Sequence, residues 1–166
     1  TESIRVQARG LAVVAISPSF QLKAGVLYLD RNHIKLLPSG GVVWIPNPDV
    51  RFDVLFPNPK AAFRWRTVGT CDWWLYVRGD YGGGAWTVER ETGPRAGLLD
   101  SIDYNDLRVA VGLQFVRSGG FHGFVEAGLA FDREILYYAV DNPAIPEPVP
   151  RVKPSETVFI GAGVAY

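Results

Sequence analysis

The chain has 166 residues, and its seventeen basic and seventeen acidic side chains cancel to no net charge at neutral pH, so it offers no basic field to a phosphate backbone and nucleic acid is not an expected partner. Hydrophobic residues make up 48% of it, yet no apolar run approaches the roughly 18 residues of a membrane helix, so any bilayer crossing would have to be made by strands. Eighteen Gly, twelve Pro, five Trp, seven Tyr and nine Phe point to strands and turns in preference to helices.

In chain order, Ile4 to Val14 alternates Ile4, Val6, Ala8, Gly10, Ala12 and Val14 against Arg5, Gln7 and Arg9, and Ser17-Pro18-Ser19 turns the chain back. Phe20, Leu22, Ala24, Val26 and Tyr28 form the apolar side of a second strand, which Asp30-Arg31-Asn32-His33 closes as a loop. Pro38 and the pair Gly40-Gly41 interrupt the next stretch, so a strand is expected only from Gly41 to Ile45. Turns at 46–49 and 57–59 bracket a short strand carrying Val50, Phe52, Val54 and Phe56, and a second short one follows with Ala61, Phe63 and Trp65 opposite Lys60, Arg64 and Arg66.

From Asp72 the alternation sharpens, with Trp73, Leu75, Val77, Gly79 and Tyr81 on one side and Trp74, Tyr76, Arg78 and Asp80 on the other. Trp86 and Val88 have the opposite parity, which predicts a bend or bulge at Gly82-Gly83-Gly84. Residues 91–101 read as a polar loop. Then come two long strands joined by Arg117-Ser118-Gly119-Gly120. Leu107, Val109, Val111, Leu113 and Phe115 line one side of the first, against Asp106, Arg108 and Gln114; Phe121, Gly123, Val125, Ala127, Leu129 and Phe131 line the second, against Glu126, Asp132 and Glu134. A short strand is expected at 135–138, an irregular loop over the five prolines of 141–154, and a closing strand from Thr157 to Tyr166.

Leu107 to Phe115 already has the nine residues that a strand needs to cross a bilayer, roughly 9 to 11. One charged and glycine-rich side against one aliphatic side with aromatic ends is the pattern of a membrane barrel. On that pattern Arg64, Arg66, Arg78, Asp80, Asp106, Arg108, Gln114, Glu126, Asp132 and Glu134 line the lumen, and Leu107, Val109, Val111, Leu113, Phe115, Val125, Leu129, Val164 and Tyr166 face lipid. Tyr28, Trp44, Trp65, Trp73, Tyr81, Phe121, Phe131 and Tyr166 sit where an interfacial girdle would place them. A chain that lacks Met and begins Thr-Glu-Ser is expected to be a mature or trimmed product.

The ending Phe159-Ile-Gly-Ala-Gly-Val-Ala-Tyr166 resembles the C-terminal signal of bacterial outer-membrane barrels at Gly161, Val164 and Tyr166, with Phe159 standing where that signal has a polar residue. More broadly, the segments starting at Arg9, Ala24, Trp44, Asp72, Asp103 and Phe131 (Arg9-Gly-Leu-Ala-Val-Val, Ala24-Gly-Val-Leu-Tyr-Leu-Asp-Arg31, Trp44-Ile-Pro-Asn-Pro-Asp-Val-Arg-Phe52, Asp72-Trp-Trp-Leu-Tyr76, Asp103-Tyr-Asn-Asp-Leu-Arg108 and Phe131-Asp-Arg-Glu-Ile135) resemble an uncharacterised outer-membrane β-barrel-like family of planctomycete-type bacteria. The resemblance implies an outer-membrane location, a C-terminus on the periplasmic side and recognition of the last strand by the outer-membrane assembly machinery. It also implies strands N-terminal to this chain, or a second copy, to complete a barrel.

Other chemistry is thinly supported. Cys71 is the single cysteine, and His33 and His122 are the only histidines, with no metal-ligand spacing among them. Gly79-Asp-Tyr-Gly-Gly-Gly84 lacks the Lys-Ser/Thr and the helix of a phosphate loop, and Asp132 and Glu134 read as rim charges. The expectation is therefore one all-β, antiparallel up-and-down transmembrane barrel of roughly eight to ten strands, or the C-terminal part of one. It would have a structural role or act as a narrow passive pore, with the lipid bilayer as partner, no cofactor and no enzymatic activity. The rivals are a soluble lipocalin-type barrel whose aliphatic side holds a ligand, and a lipid hydrolase using His122 with Ser118.

Overall fold

The computed structural model describes residues 7–29, 35–89, 91–92, 96–139 and 151–166. They form ten strands: β1 (Gln7–Ser17), β2 (Phe20–Leu29), β3 (Leu36–Asn47), β4 (Val50–Phe56), β5 (Lys60–Val68), β6 (Cys71–Glu89), β7 (Leu99–Arg117), β8 (His122–Ala139), β9 (Arg151–Val152) and β10 (Thr157–Ala165). The protein is all-β, a single antiparallel up-and-down sheet in the order β1-β2-β3-β4-β5-β6-β7-β8-β10, with β9 paired to the far end of β8. The sheet is open: β1 and β10 are its two edges. Because nine antiparallel strands lie along this path, β1 and β10 run in the same direction.

Alternation in the sequence becomes two faces in the sheet because directly paired residues project to the same side. The ladders align Trp73 with Phe115, Leu75 with Leu113, Val77 with Val111 and Gly79 with Val109, and these in turn with Gly123, Val125, Ala127 and Leu129. Val158, Ile160, Ala162 and Val164 of β10 extend the same rows. At the other side of β6, Ala61 and Phe63 join through Val77 and Leu75, then Phe52 and Val50, Trp44 and Val42, and Phe20 and Leu22. An aliphatic face therefore runs unbroken across eight strands, β2 to β8 and β10.

Four strands are longer than the alternation suggests. β6 continues to Glu89 with an unshifted ladder to β7 through Gly82-Gly83-Gly84, so the expected bulge there is absent. The Asp106 carboxylate and the Arg108 guanidinium lie over Gly82 where a Cβ would stand, so that glycine makes room for side chains, while Gly83 takes a φ of 129° without shifting the register. β7 begins at Leu99, inside the stretch read as a loop, and β8 runs on through 135–138 as one strand. β3 starts at Leu36 and carries Pro38, which pairs with Val26 on one side; the ladder to β4 begins only at Gly40, so the missing N–H faces an unpaired edge. Arg5, His33 and residues 141–150 lie outside the described residues.

The ladders shift register elsewhere. Two shifts lie beside tight turns, between Ala15 and Ser17 in β1 and between Trp44 and Asn47 in β3. A third separates Arg64 from Arg66 in β5. A fourth lies in β8 opposite Asp106, between Phe131 and Glu134, with Asp132 at a φ of 45°, a left-handed conformation that Asp tolerates better than most residues.

Burial is inverted relative to a water-soluble protein. The most completely buried side chains are Val43 and three acids, Asp100, Asp103 and Asp106, whereas the aliphatic rows stand open, with Val111 62%, Val125 54% and Ile160 81% exposed. A contiguous exposed apolar face and buried charge are the two departures from ordinary burial that carry information.

Candidate functional site

The polar face is built on a row that alternates large and small residues. Tyr76 of β6 pairs with Gly112 of β7, Gly112 with Glu126 of β8, and Glu126 with Gly161 of β10. Because Gly112 has no side chain, the Tyr76 ring lies over it; a Cβ at 112 would come within 2.5 Å of the ring carbon that bears the hydroxyl. Tyr76 thereby spans β7 and donates its hydroxyl proton to Glu126 Oε2 at 2.7 Å.

Arg78, one step along β6, reaches over Ala110 to the same carboxylate. Its Nε donates to Oε2 at 2.9 Å and its Nη2 to Oε1 at 2.5 Å, a two-pronged contact that holds both planes. Tyr76 and Glu126 are each only 6% exposed, and the three hydrogen bonds meet the requirement that a buried carboxylate be paired. The other end of the Arg78 guanidinium lies 3.6 Å from Asp80, which also accepts from the Asn58 amide.

Lys60 of β5 is the register partner of Arg78. Its Nζ donates to Gln114 Oε1 at 2.7 Å and sits 4.1 Å from the centre of the Tyr76 ring. Asp53, the residue across the ladder from Lys60 on β4, is taken by Arg51 through bonds of 2.8 and 3.0 Å. Nearer the turn at 69–70, Arg64 contacts Asp49 and Asp72, and Thr67 donates to Asp72 at 2.6 Å. Nearer the opposite end, the buried Asp106 accepts from Arg108 at 2.8 Å and from Tyr104 at 2.9 Å.

Two hollows open on this face. One, of about 360 Å³, is walled by Arg51, Asp53, Asp72 and Trp74; the other, of about 280 Å³, by Tyr76, Arg78, Phe124 and Glu126; Lys60 and Gln114 belong to both.

The sheet thus places Arg64, Arg78, Asp80, Asp106, Arg108, Gln114 and Glu126 together on one side. It sets three expected members of that group apart. The bulge in β5 puts Arg66 opposite Trp73, beside the aliphatic rows and with its guanidinium 4.9 Å from the Trp65 ring. The bulge in β8 puts Glu134 opposite Asn105, on the side of Leu107, where it pairs with Arg151. Asp132 is the exposed residue of that bulge itself. Tyr76 and Lys60 are the functional residues that a list drawn from charges at strand centres leaves out. The signal for both was present, since parity places them beside Arg78 and the glycine at 112 leaves space for a ring.

On the other face, Leu107, Val109, Val111, Val125, Leu129, Val164 and Tyr166 are exposed, with Leu113 and Phe115 half-buried. Aromatic rings gather toward the tight-turn end: Trp44 stacks on Phe52 at 5.4 Å, and Phe115 lies 5.7 Å from Trp73 and 5.6 Å from Phe121. At the opposite end the aliphatic rows stop at Tyr81, whose hydroxyl donates to Asn105 Oδ1 at 3.2 Å. Beyond it, burial raises the pKa of the Tyr138 hydroxyl, with Asp103 and Glu134 adding to the effect. From Leu107 to Phe115 the aliphatic band is about 27 Å long at ~3.4 Å per residue, which at the ~35–45° tilt of barrel strands spans ~19–22 Å of the ~25 Å apolar height of an outer-membrane barrel. An open groove of about 910 Å³ crosses this face over Phe52, Phe63, Val77, Val111 and Val125.

His122 donates from Nδ1 to the Gly120 carbonyl at 2.9 Å, a contact that belongs to the turn. Among the described residues no three His, Cys, Asp or Glu side chains converge as a metal site, and Cys71 is a free, half-buried thiol. No protein-family model matches the chain, nor does any curated protein or solved structure.

Proposed function

We propose that this chain forms the wall of a β-barrel in a bacterial outer membrane, with its aliphatic face against lipid and its charged face toward the interior. Its role is structural or that of a narrow passive passage for small solutes. The observation that carries the reading is the inverted burial: Val111 and Val125 stand open while Glu126, between them in the sheet, is enclosed by Tyr76 and Arg78. In water such an arrangement leaves a large apolar surface exposed; in hydrocarbon it is the favourable one. The family resemblance in the segments from Arg9 to Ile135 supports the same location, and the C-terminal strand is the part offered to the assembly machinery.

A sheet in hydrocarbon needs every edge paired, so β1 and β10 require partners. Pairing them directly would make a parallel seam, and so would a second copy inserted in the same orientation, because both edges run the same way. One further strand running oppositely, from a segment outside this chain, would keep the ring antiparallel throughout.

One observation favours a second reading. The 910 Å³ groove on the aliphatic face is of a size that could seat an apolar ligand, as a soluble lipocalin-type barrel would. Its walls, however, are open, with Val111 62% and Ile160 81% exposed, unlike a pocket that buries most of a ligand. Partitioning separates the two. A membrane wall refolds only with detergent or lipid and floats with vesicles, whereas a chain that stays folded and monomeric in plain buffer supports the ligand-binding reading.

A further inference from the structure

We propose that Lys60 forms an anion site on the polar face, at the junction of the two hollows, and gives any passage through the interior a preference for small anions. The inference rests on the reading of that face as a barrel interior. It deepens that reading by naming the solute class and the residue that selects it.

The geometry sets Lys60 apart from the other charges around the hollows. Arg51 is matched by Asp53, Arg78 by Glu126 and Asp80, and Asp72 by Arg64 and Thr67. The contacts of the Lys60 ammonium are neutral: the Gln114 carbonyl oxygen at 2.7 Å and the face of the Tyr76 ring at 4.1 Å. Among the described residues no carboxylate comes within ion-pair distance of it. An ammonium has three donors, so one hydrogen bond and a ring contact leave it able to bind a further acceptor.

Position adds to this. Lys60 and Gln114 are the residues common to both hollows, so a solute moving between them passes the ammonium. A small anion such as chloride, inorganic phosphate or a short carboxylate could take hydrogen bonds from Nζ and, after rotation of the amide, from Gln114 Nε2. A cation would meet an ammonium that has no carboxylate in direct contact, Asp53 and Glu126 acting on it only at longer range. Rings of fixed charge set selectivity in pores by this mechanism.

The test uses the closed ring, this chain together with the strand or copy that pairs β1 and β10, folded in detergent and inserted into planar bilayers, with reversal potentials measured under a potassium chloride gradient. The unmodified protein should favour chloride over potassium. In Lys60→Gln that preference should fall about fivefold, the weight of one unit charge at ~4 Å in water; Lys60→Glu should reverse it and Lys60→Arg should keep it. Circular dichroism and protease resistance identify variants that have failed to fold, and Lys60→Glu, whose preference should reverse, keeps the question answerable if Lys60→Gln is one of them.

In parallel, quenching of Trp74, which lines the first hollow, is measured with iodide and with caesium as the difference from Trp74→Phe. Iodide should quench it more strongly, and Lys60→Gln should remove the excess. A conducting but cation-selective protein, or a chloride preference unchanged in Lys60→Gln, overturns the inference while leaving the pore reading intact. If the inserted protein does not conduct, the passage is lost. Iodide quenching that depends on Lys60 then retains the anion site as a closed one, and its absence overturns that too.

Discussion

Tyr76 donates its hydroxyl proton to Glu126 across an intervening strand, over the bare backbone of Gly112, at 2.7 Å. A contact that skips a strand ties β6 to β8 independently of the ladders on either side of β7. It also makes Gly112 a packing requirement.

Gly112→Ala should therefore destabilise the folded protein by ~1–3 kcal/mol, the usual cost of adding volume to a packed site, because the new methyl would meet the Tyr76 ring. Urea unfolding in micelles, followed by tryptophan fluorescence, measures it. Gly112→Ala combined with Tyr76→Phe should recover little, since the ring itself is what collides. A neutral Gly112→Ala would mean that Tyr76 does not occupy this position.

Arg78 and Glu126 should behave as a unit. Glu126→Gln removes the two-pronged partner and leaves the partly buried guanidinium with only Asp80 at 3.6 Å, which should cost about 2 kcal/mol after allowance for the exposure of Arg78. The double change Glu126→Gln with Arg78→Gln should cost less than the sum of the two single changes. A double-mutant cycle in the same unfolding assay gives the coupling, and strict additivity would show that the contact holds nothing.

The two faces should differ in their tolerance of charge. Val125→Arg places a charge within the aliphatic band, opposite Leu113, and should destabilise the membrane-inserted protein by ~1–3 kcal/mol. Gln114→Arg, on the polar face, should be tolerated far better. In a protein whose aliphatic face met water, Val125→Arg would be close to neutral, because Val125 is already exposed. Refolding yield into vesicles and unfolding midpoints distinguish the two cases.

The strands and faces were legible in the sequence wherever alternation was strict. From Trp73 to Tyr81 and from Leu107 to Phe115 the odd and even sets fall on opposite sides as parity dictates, because a regular ladder cannot change faces. Parity failed where a ladder gains a residue. One extra position at Trp65 moved Arg66, and the bulge around Asp132 moved Glu134. Neither stretch announces this locally: Phe63 to Arg66 alternates cleanly, and only the tolerance of Asp for a left-handed backbone hints at the second. At Gly82-Gly83-Gly84 the expected bend or bulge brings no register shift; Gly83 takes a positive φ and Gly82 is a seat for Asp106 and Arg108. The Glu126 cluster was half legible. Its charges could be read one strand at a time, but its partners come from residues 50 and 48 positions away, set by a register that no single strand encodes.

Which side of the sheet touches hydrocarbon is decided most directly by lipid-borne quenching. With Cys71→Ser as background, single fluorophores are attached at Val111→Cys and, separately, at Gln114→Cys, and the protein is refolded into vesicles with and without brominated acyl chains. Bromine should quench the label at 111 strongly and leave the label at 114 nearly unchanged. Equal emission from both sites, or stronger quenching at 114, would contradict a membrane wall with its aliphatic face outward.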